Sequence, residues 1–401
     1  MTGEGYTIAF GSEARSNYLT GGLTYETAYD DNVVSGGTGK PVSDFSYSIR
    51  PTISLNQSTP RQQRSFTYSP GFTFYQPTSA LNEAEQSLVA RYRYHLSPHI
   101  AVMASESFQQ SSSVFNQADS LAGGPVSGVT PQAAVVAPFA EEIGDQASGG
   151  LSYQFSRNGM IGGGGTFALT DYPNPSQASE ISNSRSSGGS AFYSLRLSRS
   201  QYFGAGYQYA RSLSLPAHGQ SETQTHAALP FYTIYLTPTL SISLSGGPQY
   251  VIASQSGTAK TPHSWEPAAA AGFGWQGARS SLVAGYTRSV TEVNGLLGAF
   301  NTTNAAATVR RQLSRRWTAG CGAAYSIQKN AIPGLGASSL GGHTVSGSAS
   351  LQHTIGERMS LEFRYNRLHQ SYGGITAISS APDSDREVVS LSYQFTRPLG
   401  R

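Results

Sequence analysis

The sequence is poor in charge. Its 401 residues include 26 Lys+Arg and 23 Asp+Glu, 12% together, about half the share of an ordinary soluble domain. The net charge of +3 and the lack of any Lys/Arg run argue against a nucleic-acid partner. The single cysteine, Cys321, excludes an internal disulfide framework and any multi-cysteine metal site. No apolar run approaches the length of a transmembrane helix. The opening Met1-Thr2-Gly3-Glu4-Gly5 lacks the charged and apolar parts of an export signal. Apolar residues reach only 38%, which does not suggest a large dry core. What the chain has instead is Gly (45), Tyr (23), Phe (17) and abundant Ser and Thr. Those residues suit a sheet with one apolar and one polar face.

Period-two alternation recurs along the chain. Phe45, Tyr47, Ile49, Pro51, Ile53 and Leu55 alternate with Ser46, Ser48, Arg50, Thr52 and Ser54. Met359, Leu361, Phe363 and Tyr365 alternate with Ser360, Glu362, Arg364 and Asn366. Val389, Leu391, Tyr393 and Phe395 alternate with Ser390, Ser392 and Gln394. The quoted runs span seven to eleven residues, close to the length of about nine to eleven that a tilted strand needs to cross a bilayer.

The connections carry a second rhythm. Many runs end in an apolar residue, then Ser or Thr, then a tight turn: Leu96-Ser97-Pro98, Phe155-Ser156-Arg157, Leu197-Ser198-Arg199, Leu236-Thr237-Pro238, Leu313-Ser314-Arg315. With Leu55, Trp275, Ile355 and Phe395, nine such ends follow one another at about forty residues, apart from one longer step from 96 to 155. Two strands, one short turn and one long loop fill that interval. The expectation is an all-β chain: a closed antiparallel transmembrane barrel of about eighteen strands, within sixteen to twenty, with short periplasmic turns and long outer loops. Residues 1–16 form an N-terminal periplasmic segment, 17–396 the barrel and 397–401 a tail. Aromatics on the apolar phase lie near both kinds of connection, as two interfacial belts require.

Val389-Ser390-Leu391-Ser392-Tyr393-Gln394-Phe395 resembles the last strand of bacterial outer-membrane β-barrel proteins. The resemblance implies that Leu391, Tyr393 and Phe395 carry the signal read by the barrel-assembly machinery, although Thr396 to Arg401 follow them here. It also implies a bacterial outer-membrane location in contact with lipid. Through the hairpin repeat the chain is similar to large porin-like barrels, and some barrels of this look accompany exopolysaccharide export.

On the polar phase stand Arg50, Arg91, Arg93, Arg196, Arg310, Glu362 and Arg364, which would be costly against lipid and are therefore read as lumen-lining. They predict a pore favouring small polar or anionic solutes or saccharides, unless the arginines merely pair with acids and brace the wall. The longest connection, about 110 to 145, carries an apolar stretch at 134–139 followed by Glu141, Glu142 and Asp145. It resembles, by order, length and charge, the inward-folding third loop of general porins, which predicts a constriction formed by those three acids; the alternative is an outer loop in solvent or packed on its neighbours. The alternative is a structural or partner-binding barrel, such as an exopolysaccharide-export component. A homo-oligomer remains open. Gly162 to Gly165 opens a strand rather than a helix, so it reads as a Gly-rich strand and not a phosphate cradle. No Gly-x-Ser-x-Gly elbow or metal-ligand cluster stands out, so no enzyme, cofactor or metal site is expected.

Overall fold

The computed structural model describes residues 17–33, 41–112, 141–173, 182–215, 220–256, 261–291, 298–332, 341–373 and 383–399. They form eighteen strands: β1 (Tyr18–Asp30), β2 (Asp44–Ser58), β3 (Gln62–Tyr75), β4 (Glu83–Ser97), β5 (Ile100–Ser111), β6 (Glu142–Tyr153), β7 (Gly159–Asp171), β8 (Asn183–Arg196), β9 (Gln201–Leu215), β10 (Ser221–Thr237), β11 (Leu240–Gln255), β12 (His263–Gln276), β13 (Ser280–Thr291), β14 (Phe300–Gln312), β15 (Trp317–Asn330), β16 (Gly341–Ile355), β17 (Met359–Gly373) and β18 (Asp383–Pro398). Every strand is antiparallel to its chain neighbours, and β1 pairs with β18 from Tyr18↔Pro398 to Asp30↔Arg386. The sheet is therefore a closed barrel with no open edge. Strand β18 runs two residues past the expected barrel end at 396.

The nine expected strand ends coincide with the ends of the even-numbered strands to within three residues. The Ser or Thr of the recurring motif has a local job at each turn. Ser97 Oγ accepts from the backbone N–H of His99 and Ile100, Thr237 Oγ1 from Thr239, and Ser314 Oγ from Arg316 and Trp317. The hydroxyl thus satisfies the N–H groups that the reversing chain leaves outside the ladder. The preceding Leu96, Leu197, Leu236 and Leu313 project from the barrel's exterior. At Ile355 the same reversal uses Gly356, at φ 68°, where a side chain would be strained. One outer connection differs from expectation. The link between β3 and β4 is short, closed by a single 3-10 turn at Ser79–Leu81 and by Asn82 Oδ1 accepting from Tyr75 N–H.

Strand alternation sorts residues between two surfaces. Outside stand Leu23, Ile53, Leu151, Leu244, Phe363, Leu391 and Tyr393, all exposed. Tyr92, Tyr153, Trp275 and Phe395 lie outside near the short turns, and Tyr29, Phe72, Phe74 and Tyr207 outside toward the other end. Inside, hydroxyls cross-link neighbouring strands: Thr24 to Ser392 at 2.9 Å, Ser48 to Thr73 at 2.9 Å, Thr52 to Ser69 at 2.9 Å and Ser105 to Ser148 at 2.7 Å. Exposed apolar rings and aliphatics on a closed sheet with a polar interior match a bilayer on one side and water on the other. No helix among the described residues is long and apolar enough to cross a membrane.

Candidate functional site: the lumen wall

Register places Arg50, Arg91, Arg93, Arg196, Arg310, Glu362 and Arg364 on the inner face, since each pairs with inward-facing partners and alternates with exposed apolar residues. Their surroundings differ. Arg50 Nη2 donates to Glu85 Oε2 at 2.7 Å. Arg364 and Glu362 approach to 3.7 Å. Arg196 Nε donates to the Ser198 carbonyl at 3.1 Å and lies over the Tyr202 ring at 5.9 Å. Arg91, Arg93 and Arg310 form no ion pair among the described residues. A cavity of about 400 Å³ on the wall spans β14 to β17, where Thr308, Arg310, Gln352, Glu362 and Asn366 line it.

The outer end of the wall is differently built. Arg386, on β18, is 7% exposed; its Nη2 donates to Glu26 Oε1 at 3.0 Å and its Nε lies 3.6 Å from Asp30 Oδ1. Sequence reading missed Arg386 and Glu85, although extending the β18 alternation outward from Ser390 and Val388 puts Arg386 on the inner phase. From β14 round through β18 to β5, inward side chains are buried in the outer half and more open toward the short turns. Ser46 is 1% exposed and Gln370 0%, whereas Thr308 and Arg91 are exposed.

An apolar cluster also occupies this outer end: Val251, Ala253, Val290, Ala299, Ala331 and Ile332. Pairing between β12 and β13 stops at Ala269↔Arg288. Beyond it, the Gln249 side chain takes over: Val290 N–H donates to its Oε1 at 2.7 Å, and its Nε2 donates to the Val290 carbonyl at 2.8 Å. One glutamine thus replaces two ladder bonds and ties the end of β13 to the inner face of β11.

The three acids expected on a constriction loop separate. Residues 113–140, including the apolar stretch 134–139, lie outside the described residues. Glu141 directly precedes β6 and accepts from Gln110 Nε2 at 2.5 Å. Glu142 begins β6 facing inward and accepts from the Tyr172 hydroxyl at 3.3 Å. Burial pushes the Tyr172 hydroxyl above its ordinary value. Asp145 departs from the expectation: it lies within β6, not in the loop, and faces outward opposite Phe108 and Leu169, near Glu106 of β5. An odd separation along a strand reverses the face, so Glu142 and Asp145 cannot both point inward. Among the described residues no three His, Cys, Asp or Glu side chains gather closely enough to hold a metal ion.

These features define a class: a closed, membrane-facing antiparallel barrel with a polar, charge-bearing lumen. No protein-family model matches the chain, and no curated protein matches it in sequence. Among solved structures it is similar to Pseudomonas aeruginosa OccK2 (OpdF), at 10% identity and TM-score 0.47 over 95% of this chain and 98% of that one. It is similar also to Acinetobacter baumannii OccAB4, at 9% identity and TM-score 0.42 over 96% and 99%, and to P. aeruginosa OpdK with vanillate, at 8% and 0.44 over 94% and 99%. The barrel assignment rests on the strand pairing itself.

Proposed function

We propose that the chain is an outer-membrane channel that passes small polar or anionic solutes. One observation supports this most: Arg91, Arg93 and Arg310 face the more exposed, short-turn half of the wall from β14 round to β5 with no ion-paired carboxylate among the described residues, whereas Arg50 and Arg386 farther out are ion-paired. Guanidinium groups in a water-filled, low-dielectric wall raise the local concentration of anions. The residues act here as a selectivity belt, with no chemistry on the solute. Leu391, Tyr393 and Phe395 are exposed on the outer face of β18, a position compatible with the proposed role as a signal for the barrel-assembly machinery.

Reconstitution into a planar bilayer tests the reading. The wild type should give discrete conductance steps with a reversal potential shifted toward anions in a salt gradient. Arg91→Glu with Arg93→Glu should move that potential toward cations. The shift should fade near molar salt, where the screening length falls to about 3 Å. Absence of conductance under all conditions would sink the channel reading. The burial of the outer half of the lumen wall would then favour the second reading, a barrel that holds a partner such as an exopolysaccharide-export component.

A further inference from the structure

We propose that the outer half of the seam between β12 and β13 is a lipid-side site for the phosphate head of an anionic membrane lipid, held by Arg288. The two strands pair only from Ala269↔Arg288 to Gln276↔Ser281, although β12 runs on to His263 and β13 to Thr291. Those pairs keep the barrel closed, but beyond them the wall overlaps itself. Val290 belongs to the outward phase of β13, yet it is 2% exposed and clusters with Val251 and Ala253, which are inward on β11. Asn301, opposite Val290 and also outward, donates to Glu266 Oε2 on the inner face of β12 at 3.2 Å. Outward residues of β13 and β14 can touch inward residues of β11 and β12 only if the first pair of strands ends inside the second. Pro267 gives the reason. It stands where the ladder would meet Val290 and has no N–H for the Val290 carbonyl, which Gln249 Nε2 serves instead.

The overlap leaves the outer end of β12 without a ladder neighbour on its β13 side. Gln276 N–H donates to Thr239 on the β11 side, so the even-numbered peptide groups of β12 face β11 and the odd-numbered ones, Trp265 among them, face the seam. No described residue of β13 pairs with Trp265, and lipid tails cannot satisfy peptide groups. Arg288 stands at the foot of this gap. It faces outward with its partner Ala269, between the levels of Trp265 and Trp275, where a lone cation against lipid is costly. Two other outward arginines carry their own anions: Arg211 meets Glu222 at 2.7 Å and Arg367 meets Asp383 at 3.2 Å. Arg288 forms no ion pair among the described residues, and its buried Nε has no hydrogen-bond partner. A lipid phosphate supplies the missing anion through a charge-assisted bond, and hydroxyls of the same head group can serve the carbonyls of the gap. Gln249 and the Val251 cluster close the lumen side, so the ligand comes from the membrane. Trp265, 66% exposed and with its ring 5.0 Å from that of Tyr250, flanks the site at the interface.

The test uses the full chain folded into phosphatidylcholine vesicles with a minor fraction of phosphatidylglycerol as the probe. Trp275→Phe with Trp317→Phe leaves Trp265 as the one tryptophan, and bromine on the acyl chains of either lipid quenches it on contact. Brominated phosphatidylglycerol should be enriched about five-fold over brominated phosphatidylcholine at Trp265, and Arg288→Gln should bring the two lipids level. Equal quenching by the two lipids would overturn the site, as would an undiminished preference in the inserted Arg288→Gln protein. If that variant does not insert, the preference of the parent is read at about 1 M salt, where the screening length falls to about 3 Å. It should vanish there, and its persistence would overturn the role of Arg288. Free glycerol phosphate at millimolar concentration should not displace the lipid; displacement would make the ligand a water-borne solute and overturn the membrane source. None of these readings involves conductance, so the channel reading stands or falls separately.

Discussion

A guanidinium on the lumen wall is worth different amounts at different depths. Arg386 and its partners Glu26 and Asp30 are all below 10% exposed, while Arg364 and Glu362 are about 30% exposed and 3.7 Å apart. Removing one member of a buried ion pair strands the other, at about 3–5 kcal/mol. An exposed pair contributes about 0–1 kcal/mol. Arg386→Met should therefore destabilise the barrel by several times more than Arg364→Met in reversible urea unfolding from lipid vesicles; equal losses would contradict the burial difference. The two faces of β18 offer a sharper contrast. Leu391→Arg on the lipid side should cost about 2–4 kcal/mol near mid-bilayer. Ser392→Arg, on the lumen side beside Thr24, should cost much less and alter conductance instead.

At the scale of the strand, the Gly162–Gly165 run shows how packing dictates composition. A Cβ on Gly164 would lie 2.5 Å from the Gly149 carbonyl oxygen, a backbone atom that cannot move aside cheaply, whereas on Gly165 the nearest atom is 3.6 Å away. Gly164→Ala should lower stability by about 1–3 kcal/mol, and Gly165→Ala should be close to neutral, measured as shifts of the urea midpoint. The strands themselves were legible in the sequence because one face is oily and the other hydroxylated, and because the turn hydroxyls are demanded by stranded N–H groups. β6 was less legible. Its outward face reads Ile143, Asp145, Ala147, Gly149, with a charge and small residues where contrast is needed, so its start merged with the acidic end of the preceding loop. The short β3–β4 link was missed because a compact 3-10 turn leaves no long polar stretch to see. The inward set from Arg50 to Arg364 followed from period two alone. Which arginines are neutralised did not, because Glu85 and Arg386 are brought to their partners only by pairing between strands.

For the molecule as a whole, closure depends on one pairing between distant segments: Thr20 meets Thr396 across 376 residues, while all other strand pairs join chain neighbours. Deleting 383–399 should leave β17 and β1 with unpaired edges that lipid cannot satisfy. The product should lose the protease resistance of the closed barrel and aggregate rather than insert.

The buried outer half of the wall from β14 round to β5 also gives the molecule a direction. From the short-turn side, a bulky polyanion should meet Arg91 and Arg93 on the more exposed half of that wall. From the opposite side it meets Ser46, Gln370 and the Val251 cluster, where solvent itself barely enters. A sulfated oligosaccharide too large to permeate should therefore block current quickly when added to the short-turn compartment and slowly or not at all from the other, which makes sidedness of inhibition a direct measure of how each molecule is oriented in the bilayer.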